Sequence, residues 1–393
     1  MINSASNPTR IKVLFSGVCS LILSMGIARF AYTPMLPVMM NQAGLSHEAG
    51  GWLAAINYTG YLAGVLIASW ISHTVVKDRL YRLGMVVAVV STVMMGVTTN
   101  MPVWIISRFI AGLSSAAGLM LGSGLIFNWL IRHNHRRELG IHFSGIGLGI
   151  AFCSVVAILM YKQIAWDMQW FVLAGLGALL LIPALVWFPP PPADGDTVNQ
   201  HASMQHAPPN SKFMRFFTAA YFCSGFGYVV TATFIVAIIN AMPALAGKGA
   251  WVFLIVGLVA APSCILWDFV ARKTGDVNAL VLAGIIEVIG IITPTFGWGV
   301  MGAMLSAVLY GATAIAIVSL TLTMAGRFYP AQPAKMMGKM TTAYGIAQII
   351  APAITGWVAG SQGGYVFGLY LAATVMAIGT LFFYMMRKVQ SQP

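Results

Sequence analysis

The stretch Val13–Met35, VLFSGVCSLILSMGIARFAYTPM, holds one charged side chain, Arg29. An apolar run of about 20 residues is long enough to cross the hydrocarbon core of a bilayer. The rest of the 393-residue chain has the same character, with 59% hydrophobic residues, 8% charged residues and a mean hydropathy of +0.84. Soluble domains carry roughly 25% charged residues, so this composition excludes soluble enzymes, nucleic-acid binders and disordered scaffolds. It predicts a membrane protein that crosses the bilayer many times.

Twelve apolar segments of spanning length can be counted along the chain. They carry many Gly and Pro residues, which bilayer helices tolerate, and they lack the ten-residue alternation of a β-barrel. The sequence therefore predicts an all-α membrane protein with twelve transmembrane helices. The predicted spans are 13–35, 51–71, 82–99, 103–127, 140–162, 169–188, 214–240, 249–270, 277–296, 298–326, 338–360 and 364–386.

The basic residues give the orientation of these spans. Of the 21 Lys and Arg residues, 17 lie in the even-numbered connections and the two termini, whereas the odd-numbered connections hold only Lys162 and Lys248. Basic residues concentrate on the cytoplasmic side of membrane proteins. We therefore expect a multi-pass protein of the bacterial inner membrane with both termini cytoplasmic.

A polar stretch rich in proline divides the twelve spans into six and six. Residues 189–212 contain the run Pro189–Pro192 and show no helical period, which is typical of a linker. We expect a six-helix bundle at 1–188, a cytoplasmic linker at 189–212 and a second six-helix bundle at 213–393. Two six-helix repeats joined in this way are typical of secondary transporters.

Several motifs then resemble the major facilitator superfamily over the whole length of the chain. Span 4 contains Arg108-Phe-Ile-Ala-Gly112, which resembles the R-x-x-x-G motif of that family. Asp268 followed by Arg272 and Lys273 resembles the second-half copy of its D-R-x-G-R-R loop motif. In the first-half copy Ser72 and His73 stand where the Asp is expected.

Span 5 carries Gly145-x-x-x-Gly149, which is similar to the antiporter motif of the superfamily, but Ile146 replaces its proline. The segments Gly26–Pro37 and Gly225–Phe234, together with Gly345-Ile-Ala-Gln348, resemble the YbfB/YjiJ-like branch. The resemblance implies a fold of two six-helix bundles in which spans 1, 4, 7 and 10 line a central cavity that opens alternately to each side.

Two arginines within the spans are the first candidates for solute contact, because a charge inside the bilayer is costly unless it is paired or faces water. Arg29 lies about 25 Å from the cytoplasmic side of span 1, and Arg108 about 9 Å from the outer side of span 4. A guanidinium fork suits a carboxylate or a phosphate. The alternative is that Arg29 is held by main-chain carbonyls near Pro34 and by Asn57.

Polar side chains near the arginines complete the predicted solute site. Tyr32 shares a helical face with Arg29, and Asn57 in span 2 lies at similar depth. Tyr228 in span 7 and Gln348 in span 11 give the second half an uncharged polar lining. For these residues, packing and hydrogen bonding between helices are the alternative role.

Glu287 is the one acid within a predicted span. Burial would let it keep a proton near neutral pH, so we expect a role in proton coupling, with a structural hydrogen bond as the alternative. Spans 1, 4, 7 and 10 contain no Asp or Glu, which disfavours a cationic solute. At the cytoplasmic side, Asp268 and Arg272 are predicted to form a gate against the start of span 5, near Gly140, as the resemblance implies.

The sequence therefore predicts a secondary transporter that moves a small organic solute, bearing a carboxylate, by alternating access. A proton-coupled drug or metabolite efflux pump is the alternative within the same class. We expect no enzymatic activity and no cofactor or metal, since a nucleophile, paired acids or a His/Cys cluster are lacking. The expected partners are a small-molecule substrate, membrane lipid and protons, without nucleic acid, and the expected oligomeric state is a monomer.

Overall fold

The computed structural model describes residues 7–71, 73–133, 139–191, 210–328 and 333–390. Within these residues twelve helical segments are long and apolar enough to cross a membrane, with mean hydropathies from 1.2 to 2.2. The twelve predicted spans are confirmed. The ends of the helices differ from the predicted ends by a few residues, and some helices are longer by one or two turns. Many of their large apolar side chains, such as Trp70 and Met301, point outward, as expected for a surface that faces lipid.

We number the spans α1 to α12 in chain order. Two of them change their helical geometry along their length. α1 consists of Asn7–Leu21, the π-helical segment Ile22–Phe30 and Tyr32–Gln42, and α4 consists of Met101–Ala116, the π-helical segment Ala117–Gly122 and Ser123–Arg132. The other ten are α2 His47–Trp70, α3 Thr74–Val97, α5 Leu139–Met160, α6 Trp166–Val186, α7 Ser211–Ala241, α8 Gly249–Thr274, α9 Asp276–Ile292, α10 Gly299–Phe328, α11 Pro333–Gln362 and α12 Val366–Gln390.

The π-helical segments of α1 and α4 lie next to each other inside the first bundle, α1–α6. The hydroxyl of Ser115 donates to the carbonyl of Ser24 at 2.7 Å and joins the two helices there. π-Helical turns are rare and occur mostly where a helix is locally reshaped, often at a functional site. The segment of α1 contains Arg29, which therefore leaves the helix in a direction that a regular α-helix would not give it.

Close helix crossings bring the candidate residues together. α2 crosses α4 at Gly60 and Gly112, where a Cβ on either residue would collide with the main chain of the other helix. Because the backbones touch, Asn57 of α2 lies beside the main chain of Arg108 of α4 and donates to its carbonyl at 2.9 Å.

The second bundle, α7–α12, meets the first along two long seams and at one end. The seams are formed by α2 with α11 and by α5 with α8, and small residues such as Gly51 and Gly356 let the helices approach. The end that contains the connections α1–α2, α5–α6 and α11–α12 is called the far end. The opposite end, at which α2 is followed by α3 and α6 by the predicted linker, is called the linker end.

Contacts between the bundles close the far end. Among the described residues, Thr33 of α1 donates to the carbonyl of Ala232 of α7 at 2.6 Å, and the hydroxyl of Tyr365 donates to the carbonyl of His47 at 2.9 Å. The ring of Tyr365 also stacks on Phe234 of α7, with 4.2 Å between ring centroids. The first bundle is thereby tied to the second at this end.

The predicted linker falls mostly outside the described residues. α6 ends at Val186 and α7 begins at Ser211, with Asn210 capping α7 through its side chain at 2.8 Å from the amide of Phe213. Residues 192–209 are not described, so the domain boundaries at 188 and 213 remain predictions. Ser72 of the first loop motif likewise lies outside the described residues.

Candidate functional site

Arg29 is buried between two tyrosine rings of α2. Its side chain is 4% exposed, and its guanidinium carbon lies 4.3 Å from the ring centroid of Tyr58 and 4.4 Å from that of Tyr61. The electron-rich faces of the rings stabilise the cation without neutralising it. Its Nε has no hydrogen-bond partner among the described residues, and no described acid forms a salt bridge with it. The group can therefore still take an anionic partner through planar N–H bonds.

Arg108 has different surroundings, although it is equally buried. Its Nη1 donates to the carbonyl of Ala28 at 3.0 Å, and its guanidinium carbon lies 4.4 Å from the ring centroid of Tyr32. Tyr32 is itself fixed, because its hydroxyl donates to the carbonyl of Gly50 at 2.9 Å. Arg108 thus connects α4 to the main chain of α1, one residue before Arg29.

A main-chain contact of the kind considered for Arg29 is made by Arg108, to the carbonyl of Ala28 rather than to a carbonyl near Pro34. Asn57, which was expected beside Arg29, donates to the carbonyl of Arg108, and its own Oδ1 has no partner among the described residues. The structure brings Tyr32, Asn57 and Arg108 into one group within the first bundle. Arg29 lies next to this group and within electrostatic range of Arg108.

The second bundle faces Arg29 with tyrosines. Tyr228 of α7 lies within electrostatic range of Arg29, and it is followed by Tyr344 of α11 at 6.0 Å and Tyr310 of α10 at 6.4 Å between ring centroids. The hydroxyl of Tyr310 donates to the carbonyl of Tyr228 at 2.7 Å and fixes this corner. Of the predicted second-bundle residues, Tyr228 is thus placed opposite Arg29.

Gln348 and Glu287 are buried in the second bundle. Gln348 lies one helical turn after Tyr344 in α11, is 1% exposed and leaves its Oε1 without a partner among the described residues. Glu287 of α9 is also 1% exposed, and neither carboxyl oxygen has a described partner. It lies within electrostatic range of Tyr228, Tyr310 and Tyr344, and its burial keeps it from the lipid-facing surface.

At the linker end, the two loop motifs each form an ion pair on their own helix. Asp268 accepts from Arg272 at 2.6 Å, and both side chains are largely exposed. In the first bundle Asp78 accepts from Arg82 at 2.9 Å, and Arg82 also donates to the carbonyl of Leu185 of α6. Asp78 was not among the residues predicted from the motif, which has Ser72 and His73 where its acid is expected. The spacing of four residues between Asp78 and Arg82, the same as between Asp268 and Arg272, could have revealed it.

Tyr58 is the other residue that sequence reasoning missed. It lies three residues before Tyr61 on α2, so both rings project from one side of the helix. That spacing was the available signal. It did not identify an arginine between the rings, since the side chain comes from another helix and leaves it within a π-helical segment.

These features define a class of protein: a multi-pass, all-helical membrane protein with a charged, polar centre between two six-helix bundles. Comparison with known proteins supports that class. The chain superimposes on the crystal structure of the nucleoside transporter NupG with a TM-score of 0.74 at 13% identity, covering 99% of this chain and 100% of that one. It superimposes on a bacterial homologue of the human lysosomal transporter Spinster with a TM-score of 0.68 at 16% identity, covering 98% of both chains.

The family follows from the sequence profile described as "Uncharacterised MFS-type transporter YbfB", which matches residues 21–383. The chain belongs to this family of major facilitator superfamily transporters, and it is a transporter rather than an enzyme. The predicted family and fold are confirmed.

Curated relatives match over shorter stretches. A transporter described as mfc1 from Schizosaccharomyces pombe is 21% identical over 46% of this chain and 37% of its own length. The D-galactonate transporter of Escherichia coli is 26% identical over 25% of this chain and 22% of its own length. The MFS-type transporter YcaD of Salmonella arizonae is 26% identical over 43% of this chain and 44% of its own length. The chain thus spans less than half the length of these relatives.

Proposed function

We propose that this secondary transporter carries a small organic solute bearing a carboxylate, with Arg29 as the anchor. The observation that carries the proposal is the guanidinium of Arg29, which is buried between the bundles against two aromatic rings and has an unpartnered Nε. A buried cation without a counter-ion is costly in a membrane, and a carboxylate that reaches it removes that cost. The absence of Asp and Glu from α1, α4, α7 and α10 in the sequence gives a cationic solute no partner there.

The remaining site residues divide between contact and positioning. We propose that Tyr228 and Gln348 contact the solute from the second bundle. Tyr228 lies within electrostatic range of Arg29, and Gln348 is buried one helical turn after Tyr344 with an Oε1 that has no described partner. Arg108, Tyr32 and Asn57 close the opposite wall and hold α1, α2 and α4 at the spacing that the site needs.

One relative supports the carboxylate. The D-galactonate transporter of Escherichia coli is named for the anion of a sugar acid, whose negative group is a carboxylate. The similarity covers a quarter of this chain, so it supports the class of charged group and leaves the rest of the solute open.

The test is ligand stabilisation of the purified protein in detergent, with a panel of carboxylates and of lipophilic cations. A ligand at 100 times its Kd stabilises the folded state by about 2.7 kcal/mol. We expect carboxylates to raise the Tm of the wild type and of Arg215→Ala, a matched control that removes an exposed arginine outside the site. Arg29→Ala should lose the effect, and Arg29→Lys should keep part of it, since lysine preserves the charge without the fork. Equal stabilisation of wild type and Arg29→Ala, or stabilisation by cations alone, contradicts the proposal.

We further propose that Glu287 takes part in proton coupling. A carboxyl group with two unpartnered oxygens beside Tyr228, Tyr310 and Tyr344 can bind and release a proton as the solute and the bundles move. In proteoliposomes, a pH gradient should alter the rate of carboxylate uptake by the wild type. Glu287→Gln, which mimics the protonated acid, should transport at a rate that no longer depends on the gradient. Retention of full gradient dependence in that variant rules out this role.

Asp268 and Arg272 are proposed to form a gate at the linker end. Ala261 of α8 packs against Gly147 of α5, and seven residues further toward the linker end Asp268 comes level with the start of α5. A carboxylate at a helix N-terminus contributes about 0.3–1 kcal/mol, which is enough to shift a balance between two states. Asp268→Asn should therefore weaken the state closed at the linker end and increase labelling of a cysteine placed in that opening. Unchanged labelling contradicts the gate.

The orientation and the cell biology remain proposals. We propose that the linker end faces the cytoplasm of a bacterial cell, with both termini there, as the basic residues indicate. The closed far end then faces the outside of the cell, and we propose that the protein acts as a monomer. The efflux alternative has less support, because Gly145 and Gly149 pack closely against Val18 and Gly26 of α1 and so have a structural role.

A further inference from the structure

The second bundle presents a continuous series of tyrosine rings to the centre of the protein. Tyr221 of α7 stacks on Tyr344 of α11, with 4.5 Å between centroids and 27° between the ring planes. Tyr344 is followed by Tyr228 at 6.0 Å, and Tyr228 by Tyr310 at 6.4 Å. All four are buried, and they come from three different helices.

The first bundle completes the enclosure. Tyr58 and Tyr61 flank Arg29, Arg29 lies within electrostatic range of Tyr228, and Tyr61 within that of Tyr221. Arg29 and the rings around it are called the tyrosine cluster, and its six tyrosines are Tyr58, Tyr61, Tyr221, Tyr228, Tyr310 and Tyr344. It has one positive group and aromatic surface on both sides.

Besides the two carboxyl oxygens of Glu287, three polar atoms of the second bundle near these rings have no described hydrogen-bond partner. They are the hydroxyl of Tyr344, Oε1 of Gln348 and Oγ1 of Thr231, each on a side chain at least nine-tenths buried. Buried polar atoms are normally hydrogen-bonded, so unpartnered ones point to a ligand or to water. Oε1 of Gln348 accepts only, and it therefore needs a donor such as a hydroxyl or an N–H.

We propose that the solute is an aromatic carboxylate with a hydroxyl or N–H group on the side of the ring opposite the carboxylate. This rests on the proposed function, since the carboxylate binds Arg29. The aromatic ring packs on the tyrosine rings, which prefer offset or edge-on contacts with other rings. The distal donor reaches the group around Tyr344 and Gln348. A sugar acid fits less well, because several of its hydroxyls would lie against ring faces that cannot replace their hydrogen bonds to water.

The test compares the Kd values of four probes for the purified full-length protein: 4-hydroxybenzoate, benzoate, cyclohexanecarboxylate and D-galactonate. Benzoate and cyclohexanecarboxylate have the same charge and ring size, so their ratio isolates the aromatic contact. We expect benzoate to bind about two- to tenfold more tightly than cyclohexanecarboxylate. We expect 4-hydroxybenzoate to bind more tightly again, and D-galactonate to bind most weakly.

Variants of Tyr344 separate the two contacts. Tyr344→Phe keeps the ring and should remove the advantage of 4-hydroxybenzoate over benzoate while leaving benzoate unchanged. Tyr344→Leu should reduce the preference for benzoate over cyclohexanecarboxylate. Tyr370→Leu, at an exposed tyrosine of α12, is the matched control and should leave all four Kd values unchanged.

The outcomes distinguish this inference from the function on which it rests. Equal Arg29-dependent binding of benzoate and cyclohexanecarboxylate, or tightest binding of D-galactonate, overturns the aromatic class and leaves the carboxylate transporter intact. Binding that is unaffected by Arg29→Ala, or no binding of any carboxylate in a wider panel, overturns both.

Discussion

Arg29 and Arg108 are buried in the same bundle and within electrostatic range of each other, yet their surroundings differ in kind. Arg108 is bonded to a main-chain carbonyl of α1 and lies on Tyr32, which is itself hydrogen-bonded. Arg29 lies between two ring faces, and its Nε has no described partner. The first region is a hydrogen-bonded network within one bundle, although Nε of Arg108 and Oδ1 of Asn57 have no described partner. The second faces the other bundle with hydrogen-bonding capacity to spare.

This difference shows two ways in which a membrane protein accommodates a buried cation. A bond to a main-chain carbonyl uses part of the guanidinium group and turns it into a connection between helices, as at Arg108. Aromatic faces stabilise the charge while leaving its N–H groups available, since the attraction to a ring does not use a lone pair. A ligand site needs the second arrangement. If the two regions differ in energy as they do in geometry, substitution of Arg108 should change the stability of the protein more than substitution of Arg29.

The largest effect is expected for Arg108→Ala. The substitution breaks the bond to Ala28, removes the cation from the ring of Tyr32 and leaves a void between α1 and α4. A hydrogen bond to a charged group contributes about 1.5–3 kcal/mol, and removal of a buried charge without a described acidic partner offsets part of its loss. We therefore expect a loss of about 2 kcal/mol in the free energy of unfolding, measured by SDS titration in mixed micelles. Arg215→Ala, at an exposed position, should change it by less than about 0.5 kcal/mol. If Arg108→Ala is as stable as this control, Arg108 does not connect the helices.

The sequence is sufficient to predict the spans, because twenty apolar residues in a row have few other structures available to them. It also identifies Arg29, Arg108 and Glu287, since each is an ionisable residue in an apolar run. It does not distinguish the roles of the two arginines. That distinction depends on the π-helical segment of α1 and on the crossing of α2 with α4 at Gly60 and Gly112, which set directions that helical spacing alone does not give.

The tyrosines show more clearly that a sequence does not reveal which side chains of different helices meet. Tyr228 and Tyr344 are visible in the sequence as polar residues of apolar helices, but nothing local indicates that Tyr221 stacks on Tyr344 from another helix. Such pairs depend on how α7 and α11 pack. Local periodicity predicts which face of a helix is buried and leaves open which neighbour covers it.

An intermediate effect is expected for Tyr58→Leu, which removes one ring face from Arg29 and keeps an apolar side chain of similar reach. A buried cation–π contact contributes about 1 kcal/mol, so we expect the Kd for a carboxylate to rise about fivefold. Tyr58→Phe keeps the ring and should stay within about twofold of the wild type. Isothermal titration calorimetry in detergent measures both. Equal Kd values for the Leu and Phe variants would mean that the ring does not position Arg29.

The smallest effect on stability is expected for Arg29→Ala in the absence of ligand. The substitution loses two cation–π contacts, which destabilises the protein, and it removes a buried charge without a described acidic partner, which stabilises it. Because these changes oppose each other, we expect the free energy of unfolding to stay within about 1 kcal/mol of the wild type. The comparison with Arg108→Ala is made in the same micelles, first without ligand and then with saturating carboxylate. Saturating ligand should increase the difference in free energy of unfolding between the wild type and Arg29→Ala. It should add little to the difference between the wild type and Arg108→Ala. If Arg29→Ala lowers the free energy of unfolding of the unliganded protein as much as Arg108→Ala does, both arginines hold helices together. The physical basis for treating Arg29 as the anchor of the solute is then removed.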